Sequence, residues 1–260
     1  MKKQLSFFLL TVLTLLLAAC SDDNKTNEKV NDDTLSIYTT VYPLQYFTER
    51  IGADHVSVKS IYPPGSNEHT FEPTQKDMIA LADSDLFFYI GLGLEGFVEK
   101  AETTLAKEDV KLIAVASDVS EEALHISTGH THAEALLEDD HDHDNDTDSH
   151  DHDEDSNHEA EHDAHVWLSP VISQQLATVI KDELVAAMPE QEQLFNANYE
   201  ALVSELQQLH AEFKEMADAT KSKTFFVSHA AFGYLAGHYG FEQIPVAGLN
   251  SQSEPSQKEL

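Results

Sequence analysis

The amino-acid sequence predicts an α/β protein in which parallel strands are covered by helices. Between residues 35 and 116, short β-branched and aromatic runs alternate with helix-like stretches, an order typical of parallel sheets. A long amphipathic pattern follows at residues 189–220, and strand and helix patterns resume from residue 224. Together these observations indicate two α/β parts separated by a helical region.

The first α/β part holds most of the predicted strands. Thr74 and Asp77 have the spacing of a helix N-terminal capping signal, which supports a helix at that point. The predicted strands are residues 35–41, 56–61, 86–90 and 110–114, and the predicted helices are residues 43–51, 73–82 and 96–106.

The helical region begins at residue 170, and Pro189 opens its longest helix. Apolar residues recur from Phe195 to Met216 at alternating spacings of 4 and 3, which forms one continuous apolar stripe. A coiled coil, a helix in a bundle and a strut between two lobes all fit this pattern.

The last part of the sequence restarts an α/β unit. Strands are predicted at residues 224–227 and 243–247 around a helix at 230–239, and a further helix is expected to begin at Glu254. A single strand–helix–strand unit is too small for a closed lobe. We therefore expect an incomplete second lobe whose open sheet edge and apolar faces favour local unfolding.

The N-terminal residues predict export. Lys2 and Lys3 precede an apolar run at residues 7–17 that is too short to span a bilayer, as in a signal peptide. The run ends in small residues before Cys20, the one cysteine, in a pattern that resembles the bacterial lipobox, whose cysteine is acylated. An ordinary secretory signal or an anchor helix is the alternative. Residues 20–33 are polar and predict a flexible tether, so we expect an extracytoplasmic, lipid-anchored protein.

The charge of the chain is strongly negative. There are 47 Asp and Glu residues against 15 Lys and Arg, for a net charge of −32. Such a chain repels nucleic acid and attracts cations, which excludes nucleic-acid binding. Within it, residues 138–163 hold fourteen acidic residues and six histidines without apolar periodicity. We expect residues 125–163 to form a disordered loop.

Three histidines outside that loop share a local setting. His69 follows a turn-rich stretch beyond a strand, His165 lies where ordered sequence resumes, and His229 lies at the carboxyl end of a strand. Ligands of open α/β sheets bind beyond the carboxyl ends of strands, so these imidazoles can converge on one cation. Each could instead be an isolated, hydrogen-bonded histidine. His55, His210 and His238 lack this setting and are interpreted as ordinary surface histidines.

The motifs around these histidines give the chain a recognisable pattern. It resembles the zinc-specific solute-binding lipoproteins of bacterial ABC transporters, close to the manganese- and zinc-binding lipoproteins once described as adhesins. The resemblance runs from residue 35 to residue 260. The matching motifs are Tyr62-Pro-Pro-Gly-Ser-Asn-Glu-His69, Phe71-Glu-Pro-Thr74, His165-Val-Trp-Leu-Ser-Pro170, Phe226-Val-Ser-His229 and Gly248-Leu-Asn-Ser-Gln-Ser-Glu-Pro255.

The resemblance implies two α/β lobes joined by one long rigid helix, residues 189–220. It places the N-terminal lobe at residues 34–169, the helical region at 170–221 and the partial C-terminal lobe at 222–260. Metal would bind between the lobes through His69, His165 and His229. Manganese-binding members carry a carboxylate at the position of His229, so an imidazole there favours Zn²⁺ over Mn²⁺. The implied fourth ligand is a carboxylate beyond residue 260, with Glu68 or water as the alternatives.

The function implied is capture of Zn²⁺ outside the cytoplasm and its delivery to an ABC-type metal permease, by a monomer without enzymatic activity. A zinc hydrolase, a surface adhesin with a structural metal and a manganese carrier are the alternatives. None of the three candidate ligands His69, His165 and His229 has the His-Glu-x-x-His spacing that marks a helix-borne zinc protease, so the hydrolase is not favoured. Further Zn²⁺ is expected to bind weakly to histidines of the acidic loop: His130, His132, His141, His143, His150, His152, His158 and His162.

Overall fold

The computed structural model describes residues 34–127 and 162–247. No helix within these two ranges is both long enough and apolar enough to cross a membrane. Cys20 and the predicted signal peptide and tether lie outside the described residues. So do all of the histidines expected to bind Zn²⁺ weakly, except His162.

The first lobe is built on a four-stranded parallel sheet with the order β2-β1-β3-β4. Its strands are β1 (Leu35–Thr39), β2 (Val56–Ser60), β3 (Leu86–Tyr89) and β4 (Lys111–Ala114). Its helices are α1 (Tyr42–Gly52), α2 (Gln75–Ala82), α3 (Val98–Leu105) and α4 (Glu121–Leu124). All four strands were predicted from the sequence, and the capping box of Thr74 and Asp77 is present at the start of α2.

Helices cover both faces of this sheet, as a parallel sheet requires. The side chains of the central strand β3 alternate between two cores. Phe88 packs with α1 and the later helices, whereas Phe87 and Tyr89 pack with α2 and α3. Because helices cover both faces of the sheet, the loops that follow the strands begin from well-packed positions at the carboxyl ends of the strands.

Two helices follow the first lobe. Helix α5 (Pro170–Ala187) begins at the N-cap Ser169, and a 3₁₀ turn at Pro189–Gln191 leads into α6 (Glu192–Ala219). The predicted helix at 189–220 is therefore a short 3₁₀ turn followed by 28 α-helical residues.

The apolar stripe of α6 is buried only in its first half. Phe195, Leu202 and Leu206 are buried against the first lobe, whereas Leu209 and Met216 are 41% and 45% exposed. The second half of the helix instead meets the second lobe, so α6 runs from one lobe to the other.

The described part of the second lobe contains β5 (Thr224–His229), α7 (Gly233–Tyr239) and β6 (Glu242–Ala247). The two strands pair in parallel, with Phe226 opposite Ile244. Phe226 is 74% exposed on this small sheet. On α6, Phe213 stacks on Tyr239 with ring centroids 5.2 Å apart, which fixes the end of α7 against the long helix.

Candidate metal centre

The loop after β2 places His69 at the carboxyl edge of the first sheet. Gly65 adopts a left-handed backbone conformation, φ +81°, which glycine tolerates without steric cost and which turns the chain. The backbone N–H of His69 donates to Asn67 Oδ1 at 2.9 Å. The phenol of Tyr62 donates to the carbonyl of Glu68 at 3.2 Å. These two hydrogen bonds support the backbone on either side of His69.

His165 is held by a buried carboxylate two residues earlier. Asp163 Oδ1 accepts from the backbone N–H of His165 at 2.9 Å and from its Nδ1 at 2.7 Å. Both residues are 1% exposed. Since a carboxylate accepts only, the proton of a neutral His165 ring lies on Nδ1 and its Nε2 carries a free lone pair. This is the arrangement that prepares an imidazole to bind a metal.

Contacts between the lobes position His229, at the end of β5. The hydroxyl of Tyr234, on α7, donates to the backbone carbonyl of Asp163 at 2.6 Å. Gly237 approaches the first lobe so closely that a Cβ there would lie 1.9 Å from the carbonyl oxygen of Ile126. The second lobe is therefore packed directly against the segment that carries His165.

His238 also belongs to this contact. It is half-buried, and its Nδ1 lies 2.9 Å from the carbonyl of Tyr234 and 3.2 Å from Ser169 Oγ. Burial lowers its pKa, because the charged ring would be desolvated. The interpretation of His238 as an ordinary surface histidine is therefore wrong, since packing between the lobes covers it. His210 is hydrogen-bonded to Tyr239 at 3.1 Å.

The three predicted histidines meet at one point. Their ring centroids are 5.2 Å apart for His69–His165, 5.3 Å for His69–His229 and 4.9 Å for His165–His229. The Nε2 atoms of His165 and His229 are 3.1 Å apart. One ligand atom from each of these residues and from Glu68 lies within 4.8 Å of the others. Ligands at about 2.0–2.1 Å from a tetrahedral Zn²⁺ are roughly 3.3–3.4 Å apart, so small side-chain shifts produce a metal shell.

The surroundings of His69 suit a cation that binds neutral imidazoles. Burial, then the neighbouring His165, lowers the pKa of His69, while the carboxylate of Glu68 acts in the opposite direction. His69 Nε2 is buried and has no hydrogen-bond partner among the described residues. A buried nitrogen without a partner is costly, and a metal ion would satisfy it.

Two residues of the site were missed or set aside at the sequence level. Asp163 is one of fourteen acidic residues in the segment 138–163, so composition did not distinguish it from the others. The signal that could have identified it is its position two residues before His165. Glu68 was named only as an alternative ligand, yet its carboxylate lies within the cluster. Residues 125–127 and 162–163, assigned to the disordered loop, are in described structure, where Ser127 Oγ donates to Asp163 Oδ2 at 2.7 Å.

Comparison with known proteins shows that this chain is similar to zinc-uptake proteins. A sequence profile described as ZnuA, zinc-uptake complex component A periplasmic, matches residues 37–260. The zinc-binding lipoprotein AdcA of Streptococcus pneumoniae strain R6 is 34% identical over 99% of this chain and 47% of its own length. The high-affinity zinc uptake system protein ZnuA of Bacillus subtilis is 33% identical over 100% of this chain and 76% of its own length. The chain thus spans about half the length of AdcA.

Solved structures agree with the sequence matches. The Zn(II)-bound ZnuA-like domain of Streptococcus pneumoniae AdcA has a TM-score of 0.65 at 31% identity, covering 86% of this chain and 71% of that domain. The laminin-binding protein Lbp of Streptococcus pyogenes has a TM-score of 0.65 at 25% identity, covering 87% of this chain and 72% of Lbp. The two-lobed α/β fold and the resemblance predicted from the sequence are confirmed. The match over residues 37–260 and the coverage of the Bacillus relative show that this chain belongs to the ZnuA family of zinc-uptake component A proteins.

Proposed function

We propose that this chain captures Zn²⁺ through the imidazoles of His69, His165 and His229 and delivers it to an ABC-type metal permease. The observation that carries this proposal is the convergence of three histidines from both lobes, with all ligand atoms within 4.8 Å. Because the ligands come from two lobes, loading and release of the ion are tied to how the lobes meet. The named zinc-uptake function of the relatives supports the same reading.

Zinc suits this site better than manganese. Three nitrogen ligands favour Zn²⁺, whereas Mn²⁺ prefers oxygen-rich shells. The relatives are named for zinc, and AdcA has been solved with Zn(II) bound. A carboxylate of Glu68 or a water molecule would complete a tetrahedron in the chain described here.

Carriage of the ion also fits the site better than hydrolysis of a substrate. A zinc hydrolase would need an open coordination position and a general base placed beside it. Here the family is one of zinc-uptake components, and the cluster combines ligands from both lobes.

The location of the protein follows from its N-terminal sequence. We infer that residues 1–19 act as a signal peptide and that Cys20 carries the lipid anchor, followed by a tether at 20–33. The relatives named as lipoproteins support this inference. The protein would act as a monomer outside the membrane, within reach of its permease.

The acidic, histidine-rich segment would collect Zn²⁺ near the cleft. Histidines His130 to His162 sit among carboxylates, which raises the local concentration of cations. Deleting residues 130–158 should remove weak Zn²⁺ binding and leave the tight interlobe site intact. Calorimetry that found no tight binding after this deletion would show that the segment supplies ligands to the tight site.

Zinc affinity of single-histidine variants tests the proposed ligands. His69→Ala, His165→Ala and His229→Ala should each weaken tight binding by well over about tenfold, the loss typical of removing even an outer-shell partner. His210→Ala is the matched control, because that imidazole contacts Tyr239 and lies outside the cluster. Affinity is measured by competition with a chromophoric chelator. Parental affinity in any of the three variants would remove that histidine from the site.

Growth under zinc limitation tests delivery of the ion. In a strain lacking its own zinc-binding component but retaining the cognate permease, the parent chain should restore growth and His229→Ala should not. If the chain binds Zn²⁺ tightly but does not restore growth, the transport role is contradicted. Metal binding without transport, or adhesion, would then be the remaining functions.

A further inference from the structure

A buried glutamate outside the metal cluster lies at the carboxyl edge of the first sheet. Glu95 is 6% exposed, in the loop between β3 and α3. Its Oε1 accepts from the hydroxyl of Thr40 at 2.7 Å and from the backbone N–H of Ile90 at 2.9 Å, and its Oε2 accepts from the backbone N–H of Gly91 at 3.0 Å. Burial raises the pKa of Glu95, and these hydrogen bonds act in the opposite direction. Each carboxylate oxygen therefore has a donor within the protein.

This carboxylate lies where open α/β sheets usually bind a ligand. In the strand order β2-β1-β3-β4 the chain leaves β1 and β3 in opposite directions, so the crevice between their carboxyl ends is the topological switch point of the sheet. Thr40 directly follows β1, whereas Ile90 and Gly91 directly follow β3. Glu95 therefore joins the two strand ends across this crevice.

The loop that Glu95 stabilises has an unusual backbone. Gly91, Leu92 and Gly93 all have positive φ, and Leu92, with φ 54°, is in a region that residues other than glycine rarely adopt. Backbone of this kind persists only where its surroundings hold it, and it clusters at functional sites. The hydrogen bonds from Ile90 and Gly91 to Glu95 hold the start of this loop. Glu95 therefore stabilises a conformation that Leu92 does not favour.

A chain of hydrogen bonds connects this carboxylate to the loop between β2 and α2, which carries His69. The carbonyl of Thr40, whose hydroxyl donates to the carboxylate, accepts from Ser60 Oγ at 2.7 Å. Ser60 Oγ accepts in turn from the backbone N–H of Tyr62 at 3.1 Å. The phenol of Tyr62 donates to the carbonyl of Glu68, the residue before His69, at 3.2 Å. The position of the His69 loop is therefore tied to the end of β1.

Aromatic packing makes a second connection to the same loop. Phe71, two residues after His69, packs edge-to-face on Tyr62 and on Phe97, with ring centroids 5.0 Å and 5.9 Å apart. Phe97 is the residue before α3 and lies two residues after Glu95. Burial, and then the nearby charge of Glu95, raises the pKa of Tyr62. Contacts on both sides of His69 thus lead back to the segment that contains Glu95.

We propose that Glu95 is a positioning residue for His69. By joining the ends of β1 and β3, its carboxylate fixes the strand ends from which Tyr62 and Phe97 hold the His69 loop. A group that is held in place before binding loses less conformational freedom when the ligand arrives, so affinity increases. This inference rests on the proposed function, in which His69 binds Zn²⁺, and it adds no ligand to the metal shell.

Zinc affinity of Glu95→Gln in the full chain tests the role of the carboxylate. Glutamine keeps the size of the side chain, but its NH₂ group cannot accept, so one of the donors at the strand ends loses its acceptor. Changes along a connection of this kind alter binding by about 2–30-fold, and we expect a loss of affinity in that range. Glu99→Gln makes the same charge change at an exposed residue of α3 and should keep the parental affinity. Competition with a chromophoric chelator measures both variants.

Double substitutions show whether the effect passes through His69. If Glu95 places that imidazole, Glu95→Gln should cause no further loss in His69→Ala and its full loss in His229→Ala. An equal further loss in both backgrounds would mean general destabilisation, and an unchanged affinity in Glu95→Gln alone would mean that the loop does not need this support. Either result overturns the proposal. Parental affinity in His69→Ala would instead refute the ligand role of His69, on which this inference rests.

Thr40 gives a second test that leaves Glu95 in place and also decides the question if Glu95→Gln fails to fold. Thr40→Val removes the hydroxyl that donates to the carboxylate, whereas Thr40→Ser keeps it. Thr40→Val should weaken Zn²⁺ binding in the parent and in His229→Ala but not in His69→Ala, and Thr40→Ser should bind Zn²⁺ as the parent does. An equal loss in the valine and serine variants would assign the effect to packing of a buried residue and contradict the proposal.

Discussion

Replacing Asp163 with asparagine isolates the part of the site that sequence reasoning did not find. Asp163 makes three contacts: to the backbone N–H and Nδ1 of His165 through Oδ1, and to Ser127 Oγ through Oδ2. Asparagine keeps an oxygen for His165, and its amide can donate to the serine oxygen. The substitution therefore preserves the shape of the site and removes the negative charge behind the imidazole.

The expected loss follows from the role of such a carboxylate. It fixes the tautomer of the imidazole and makes its free nitrogen a stronger ligand. Losing an outer-shell partner of this kind typically costs about 10–100-fold in metal affinity. That range corresponds to about 1.4–2.8 kcal/mol of binding free energy. Because Asp163 and His165 are buried, solvent does not screen the contact.

Competition with a chromophoric zinc chelator measures this loss in the full chain. Asp118→Asn is the control, since it makes the same charge change at an exposed residue of the first lobe. We expect Asp163→Asn to weaken tight binding within the stated range and Asp118→Asn to leave it unchanged. Tight binding within about twofold of the parent in Asp163→Asn would refute the tautomer-fixing role, since the expected loss is at least about tenfold. An equal loss in both variants would assign the effect to overall charge.

Three further predictions concern the contact between the lobes and the packing of α6. Gly237→Ala should destabilise the fold by about 1–3 kcal/mol and weaken zinc binding, because the new Cβ would lie 1.9 Å from a carbonyl oxygen of the first lobe. Gly96→Ala is the control and should have neither effect, because no atom lies within 4 Å of a Cβ at that position. Tyr234→Phe should cost about 0.5–1.5 kcal/mol in denaturant unfolding, the usual net value of one hydrogen bond. Leu202→Ala should lower the free energy of unfolding by about 2–5 kcal/mol, because Leu202 is 1% exposed. Leu209→Ala should change it by no more than about 0.5 kcal/mol, because Leu209 is 41% exposed. Equal losses in the two variants would contradict a stripe of α6 that is buried only in its first half.

The strand pattern and the three central histidines were predictable because each depends on local sequence. Short β-branched and aromatic runs between helix-like stretches made β1 to β4 recognisable. His69 follows β2 and His229 is the last residue of β5, so each lies at the carboxyl end of a strand, where open α/β sheets bind ligands. Their convergence with His165 follows once the two lobes face each other.

The remaining features depend on contacts between distant segments. His238 is half-buried only because α7 packs on Ser169, and nothing near it in the sequence reveals that neighbour. The apolar stripe of α6 is continuous in sequence, but Leu209 stays exposed because no described element covers that face. Asp163 is 1% exposed, and that burial appears only in the folded chain.

X-ray absorption spectroscopy of the full chain with one equivalent of Zn²⁺ tests the central claim most directly. The claim predicts a shell containing three imidazole nitrogens at about 2.0–2.1 Å, completed by an oxygen. His229→Ala should lose one imidazole from that shell, whereas His210→Ala should keep all three. An oxygen-only shell, or three imidazoles still present in His229→Ala, would contradict a tight zinc site built by His69, His165 and His229.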